Sequence, residues 1–130
     1  MQHQPKPGTI INCNFDGYIS PEMVKRRPVI ILKRNKLHNK LVTIVPISTT
    51  APRKITNLHI EIEGPVDGKQ AWIKCDMIYT VCLDRLSRLK EKDKDGLYKW
   101  VNKTLDDQQF DAVKKGVANY LSLNNNTQVP

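Results

Sequence analysis

Three short segments hold side chains whose types and spacing suit phosphate chemistry. Arg26-Arg27-Pro28 stands where a strand begins. Proline fixes the backbone there, so the arginine before it can be held at a strand end and aimed at a phosphate through two parallel hydrogen bonds. Taken alone, its default reading is a solvated arginine at a sheet edge. Pro46-Ile47-Ser48-Thr49-Thr50 ends in three hydroxyls, able to donate to phosphate oxygens or, by default, to fold a turn. In Lys74-Cys75-Asp76, strand alternation puts the cation and the carboxylate on one face and Cys75 on the other. Such a pair can serve as acid and base, or be a weak surface pair.

Other chemistries find no support in the spacing. There is no phosphate-binding glycine loop, nucleophile elbow or metal-binding helix motif. Cys13, Cys75 and Cys82 are odd in number and none is two residues from another, so reduced thiols in a cytoplasmic protein are expected, with no metal and no cofactor. His3, His38 and His59 stand singly; His59 sits on the wet face of its strand, and His38 lies in a basic turn. Trp72 and Tyr79 are candidates for stacking on a base, with core packing as the competing role for Trp72.

Charge narrows the partners. The chain carries a net +8, and the surplus lies in residues 1–54, with ten basic against two acidic side chains. Residues 55–130 carry eleven of each and balance. A one-sided basic field attracts polyanions such as RNA, DNA or an acidic protein segment, or merely keeps a face solvated. The longest apolar run, Val29-Ile30-Ile31-Leu32, is far too short to span a bilayer, and MQHQPKPGT has no signal-like apolar stretch. Membrane and secreted classes are therefore set aside.

These groups need strands to hold them. Thr9–Phe15 alternates with Ile11, Cys13 and Phe15 on one face; Pro28–Leu32 and Leu41–Ile47 are β-branched, with Pro46 expected to mark a strand end or bulge. Leu58–Glu63, Ala71–Cys75 and Met77–Val81 complete a set joined by turns, which implies a compact antiparallel barrel or sandwich. Phe110, Val113, Val117 and Tyr120 or Leu121 recur at helical spacing behind Thr104, a candidate N-cap. Leu97, Tyr98, Trp100 and Val101 are assigned to a shorter helix before it, and 123–130 to a frayed tail. The expectation is one domain over 1–130: a barrel over about 6–89, a helical part over about 95–122 and the tail.

The ordered set, Lys6-Pro7-Gly8, Arg27-Pro28-Val29-Ile30-Ile31, Val45-Pro46-Ile47-Ser48-Thr49, Cys75-Asp76, Thr80-Val81 and Asp84-Arg85-Leu86, resembles the PemK/MazF family of toxins from bacterial toxin–antitoxin pairs. The resemblance covers roughly residues 6–89, with a counterpart for the C-terminal helix. It implies a mainly β fold with a C-terminal α-helix: a small SH3-like antiparallel β-barrel of the PemK/MazF/CcdB kind, forming a homodimer. It also implies a metal-independent endoribonuclease that cuts single-stranded RNA at short sequences and is silenced by a cognate acidic antitoxin. Carried onto this chain, the catalytic positions are Arg27, Lys74 and Asp76, and RNA or phosphate contacts fall to Lys25, Arg26, Ser48, Thr49 and Arg53.

This chain departs from the family pattern in three places. Ile19–Met23 lacks a histidine found there in some members, Lys74 stands where arginine is common, and the stretch between Leu89 and Thr104 is longer than a compact member needs. The alternatives kept open are a non-catalytic toxin of the same barrel, as in a relative that poisons DNA gyrase, and a module that binds nucleic acid without cutting it.

Overall fold

The computed structural model describes residues 1–65 and 68–122. Among the described residues, ten strands precede one α-helix, with a short 3-10 turn at Leu83–Arg85: β1 Thr9–Asn14, β2 Arg26–Arg34, β3 Leu41–Ser48, β4 His59–Glu63, β5 Gln70–Lys74, β6 Tyr79–Cys82, β7 Leu86–Ser87, β8 Leu89–Lys92, β9 Tyr98–Val101, β10 Lys103–Thr104 and α1 Asp107–Leu121. All pairings are antiparallel, in the order β10-β1-β2-β3-β5-β4, with β6 also on β3 and β7 also on β1. Because one edge of β3 is shared by β6 and then β5, the sheet forks and curls into a half-barrel. No described helix is long and apolar enough to cross a membrane.

Pro46 lies at that fork. β6 pairs with Leu41–Ile44 and β5 with Ile47–Ser48, so the residue that lacks an N–H falls where β3 changes partners. It is neither a strand end nor a bulge, as alternation alone predicts. The bulge sits in β2 instead, where the register on β3 slips between Ile31 and Lys33.

The central strands are buried on both sides, which is why they read as unbroken apolar runs. One face carries Ile10, Ile30, Val45, Ile47, Ile73 and Cys75 and is covered by Val113 and Val117 of α1. The other carries Ile11, Cys13, Val29, Ile31, Val42 and Ile44, closed by Phe15 and Met23 from the β1–β2 loop and by Leu83. Arg85 ties that loop down: its Nη1 donates to the carbonyls of Asn14 and Asp16, both at 2.9 Å, and its guanidinium lies 5.0 Å from the Tyr18 ring centre.

Two local expectations are corrected. The helix is capped by Asp106, not Thr104: Asp106 Oδ1 accepts from Gln109 N at 2.7 Å, and Gln109 Oε1 accepts from Asp106 N at 3.1 Å. Thr104 pairs with Thr9 in β10. Residues 97–101 form no helix, and the helical part begins only at Asp107. Tyr98–Val101 is a strand paired with Leu89–Lys92, because Asp93 folds a turn: its Oδ1 accepts from Asp95 N and Leu97 N, and Gly96 supplies φ +79°. The expected tail at 123–130 lies outside the described residues.

Candidate active site

Arg27 occupies the first turn of β2's pleat on the face of Val29 and Ile31, opposite Cys13 of β1. It is half-buried, and its Nε donates to Val24 O at 3.1 Å. That bond fixes the stem, while no acceptor among the described residues takes its Nη groups. The pairing of β2 with β3 ends at Val29 opposite Pro46, and Arg27 and Ser48 each lie two residues beyond that pair, on the same face as it by alternation.

Ser48 ends β3 and is the one polar residue with a buried side chain among the described residues, at 7% exposure. Its Oγ accepts from Thr50 N at 3.1 Å, so turn chemistry is realised here. The hydroxyl proton remains free to donate. Ser48 faces Trp72 of β5, and Trp72 faces Glu61 of β4. Trp72 is buried and its Nε1–H has no acceptor among the described residues. Lys74, two residues on, shares that face, is half-buried, and stands opposite His59. Thus one sheet face carries Arg27, Ser48, Trp72 and Lys74 in neighbouring rows.

Asp76 is placed differently from the strand reading. β5 ends at Lys74, a turn follows in which Met77 N donates to Lys74 O at 3.1 Å, and Asp76 is exposed on it. Lys74 and Asp76 form no ion pair among the described residues. Between them, Cys75 points to the α1 face, fully buried, its Sγ 3.9 Å from Val113 O. Burial pushes its thiol up to about 11, with the charge of Asp76 adding to the rise; burial likewise raises Cys13 to about 11, against the opposing charge of Arg85. Both are packing groups rather than nucleophiles.

The remaining predicted contacts scatter. Thr49 and Arg53 are exposed on the loop after β3. Lys25 is exposed and holds a left-handed φ of +67°, its carbonyl accepting from Phe15 N at 2.7 Å. Arg26 alternates to the opposite face from Arg27. There it lines a groove of about 380 Å³ with Asn12, Pro65, Lys90, Lys92 and Tyr98. Tyr79 is no stacking platform: its ring packs on Phe15 and Tyr18, and its hydroxyl accepts from Met23 N at 2.9 Å.

Alternation alone set His59 on a wet surface; the β4–β5 register shows that this surface is the one bearing Lys74. His59 Nδ1 accepts from Thr56 N at 3.1 Å, so that nitrogen is engaged with its own loop. Strand order, which a single sequence does not display, was the missing signal. Among the described residues no cluster of three or more His, Cys, Asp or Glu forms.

The fold has parallels among known proteins. A protein of Haemophilus influenzae, described as uncharacterized, is 37% identical, the match covering 70% of this chain and 75% of that one. The solved MazF of Deinococcus radiodurans superposes with a TM-score of 0.66 at 14% identity, over 92% of this chain and 97% of that chain. An endoribonuclease in complex with its cognate antitoxin, from a mycobacterial species, gives 0.60 at 21% identity, over 98% and 100%. At such identities the structural likeness is one of fold. The family model of PemK-like, MazF-like toxins of type II toxin–antitoxin systems matches residues 6–121. With that span covering the whole sheet, the helix and every residue of the face just described, the chain belongs to the PemK-like, MazF-like toxin family.

Proposed function

We propose that this protein is the toxin of a toxin–antitoxin pair and acts as an endoribonuclease on single-stranded RNA, using the face that carries Arg27, Ser48 and Lys74. The observation that carries the reading is Arg27: its stem is held through Nε while its two Nη groups are unclaimed among the described residues, on the sheet face that also carries the buried hydroxyl of Ser48. A planar, permanently charged fork next to a hydroxyl donor suits the two non-bridging oxygens of a phosphodiester.

The reaction takes its nucleophile from RNA itself. The 2′-oxygen gives up its proton to a base and attacks the adjacent phosphorus, the bond from phosphorus to the 5′-oxygen breaks, and that oxygen takes a proton from an acid. The products are a 2′,3′-cyclic phosphate and a free 5′-hydroxyl. Arg27 and Ser48 stabilise the charge that develops on the phosphoryl oxygens. Lys74 carries the proton to the leaving oxygen, and Asp76 receives the one from the 2′-hydroxyl once substrate or a second copy of the chain covers its turn. Thr49, Lys25 and Arg53 hold flanking phosphates. A cognate antitoxin with an acidic segment silences the toxin by lying on the same basic face, and the active form is a homodimer.

The test is incubation of purified protein with mixed-sequence single-stranded RNA in EDTA, with Arg27→Ala in parallel. The expected result is discrete fragments ending in 2′,3′-cyclic phosphate, absent with the variant. Intact RNA in the presence of well-folded wild-type protein would overturn the reading in favour of a toxin that binds its target without cutting it.

A further inference from the structure

The stretch that exceeds a compact member's length is the β8–β9 hairpin, which pairs only with itself. Its two faces differ sharply. On one, Leu89 pairs with Val101 and both pack on the core, while Glu91 pairs with Lys99 and accepts from Lys103 Nζ at 3.3 Å. On the other, Lys90 stands directly across from Trp100 and Lys92 across from Tyr98. Lys90 Nζ lies 4.6 Å from the Trp100 ring centre, Lys92 Nζ 5.5 Å from that of Tyr98, and the Arg88 guanidinium 5.9 Å from Trp100. The rings nevertheless stay 52% and 66% exposed.

We propose that this cation–aromatic face is a binding platform for single-stranded RNA, stacking two unpaired bases on Trp100 and Tyr98 and holding their phosphates with Lys90, Lys92 and Arg26. The inference rests on the ribonuclease reading for its substrate class, but not for its geometry. Leu89 and Val101 already anchor the hairpin, so the aromatic face is not needed for docking it. Residues two apart on a strand are about 7 Å apart, which spaces the rings for two splayed bases. Each ring has a cation within about 6 Å of its centre and yet belongs to a residue more than half exposed, which leaves ring surface on which a base can stack.

Charge favours RNA over an acidic protein segment only together with the rings, since phosphates and bases alternate as the lysines and aromatics do. Of the hairpin's own carboxylates, Glu91 points away from this face and Asp93 is spent on the turn. Lys90, Lys92 and Tyr98 of the platform also line the groove of about 380 Å³ to which Arg26 contributes. Arg26 and Arg27 are adjacent and point to opposite faces at the start of β2, so a strand leaving the groove rounds that end to reach Arg27. The hairpin thereby selects and orients RNA a few nucleotides from the scissile bond.

The experiment uses the full chain and a labelled 12-nucleotide mixed-sequence RNA carrying 2′-O-methyl groups, which binds but cannot be cleaved. Anisotropy gives affinity, and tryptophan fluorescence reports Trp100 against the buried Trp72. Wild-type fluorescence should be quenched by the RNA. Trp100→Ala should weaken binding about tenfold or more and abolish the quench, and Trp100→Phe should restore most of the affinity. Removing both Lys90 and Lys92 should lower the salt slope of log affinity by about 1.4, at roughly 0.7 per phosphate contact. Lys99→Ala, on the other face, serves as the control for charge alone.

Unchanged affinity in Trp100→Ala, with the RNA-induced quench persisting on Trp72 and an unchanged melting curve, would overturn the platform. So would loss of self-association in Trp100→Ala with RNA binding intact, which would make the rings a contact between copies. An acidic peptide that quenches Trp100 when RNA does not would assign the face to a protein partner and equally overturn the proposal. Cleavage of ordinary RNA, measured separately, keeps the two readings apart. RNA bound at Trp100 but left intact sinks the ribonuclease and leaves the platform, whereas cleavage with unaltered KM in Trp100→Ala does the reverse.

Discussion

Gly116 is the place where a single methyl group tests how α1 positions the candidate site. The glycine lies in mid-helix and is buried against β5's end; a Cβ built there falls 2.7 Å from Cys75 Sγ and 3.1 Å from Cys75 Cβ. Comfortable contacts are about 3.5–4.0 Å, so helix and strand must part by roughly 1 Å. Cys75 is fully buried and its Sγ is held at Val113 O, so the thiol has nowhere to swing. Overpacking of this kind costs about 1–3 kcal/mol, against a helix-propensity gain of about 1 kcal/mol for replacing glycine by alanine. Gly116→Ala should therefore destabilise by about 1 kcal/mol, a fall of about 4 °C in Tm for a chain of this size.

The discriminating measurement is a double-mutant cycle by urea or thermal melting. In a Cys75→Ala background the Sγ is gone, so Gly116→Ala should become neutral or stabilising, giving a coupling of about 1–2 kcal/mol. Because Cys75 sits between Lys74 and Asp76, a shift of about 1 Å there should also slow RNA cleavage well below Tm by tenfold or more. Cys75→Ala should recover part of that rate. A Gly116→Ala protein that melts higher than wild type would refute the close approach and, with it, the claim that the helix sets the position of Lys74.

Arg85→Ala removes two hydrogen bonds to backbone carbonyls and the contact with Tyr18, and should cost about 2 kcal/mol, read as a Tm lower by about 8 °C. Proteolysis should then open the 15–25 loop first. The thiols of Cys13 and Cys75, raised to about 11 from 9.0, favour the folded state fully below pH 9. Above that the unfolded chain loses protons the native one keeps, so stability should fall between pH 9 and 11 by up to about 1.4 kcal/mol per pH unit for each thiol. Urea melts of Cys13→Ala should show about half that slope. At pH 8, alkylation of the native protein should label Cys82, the only thiol that is not fully buried among the three. Asp106→Ala should cost about 1 kcal/mol through the lost capping box, whereas Thr104→Ala, on the position that spacing favoured, should cost less.

Most of the architecture was legible in local pattern. Ile11, Cys13 and Phe15 alternated into one core as their spacing requires, and Phe110, Val113 and Val117 marked the inner stripe of α1. The β8–β9 hairpin was not legible, since Leu97, Tyr98, Trp100 and Val101 fit a helical window as well as a strand. What decided between them was the Asp93–Gly96 turn and the partner strand it creates. Thr104 failed as a cap because β10 claims it for pairing with Thr9, a contact nearly a hundred residues away in sequence.

The candidate site divides along the same line. Residue chemistry singled out Arg27, Ser48 and Lys74, because a fixed guanidinium, a strand-end hydroxyl and a lysine carry their function in their side chains. Which of them share a face depends on sheet order and register. Those put Arg27 and Ser48 on one face just beyond the Val29–Pro46 pair, sent Arg26 to the opposite side, moved Asp76 onto an exposed turn and brought His59 opposite Lys74. Alternation along one strand fixes which side a residue takes relative to its neighbours in sequence. The pairing of distant strands, set by burying two apolar faces at once, fixes what it meets there.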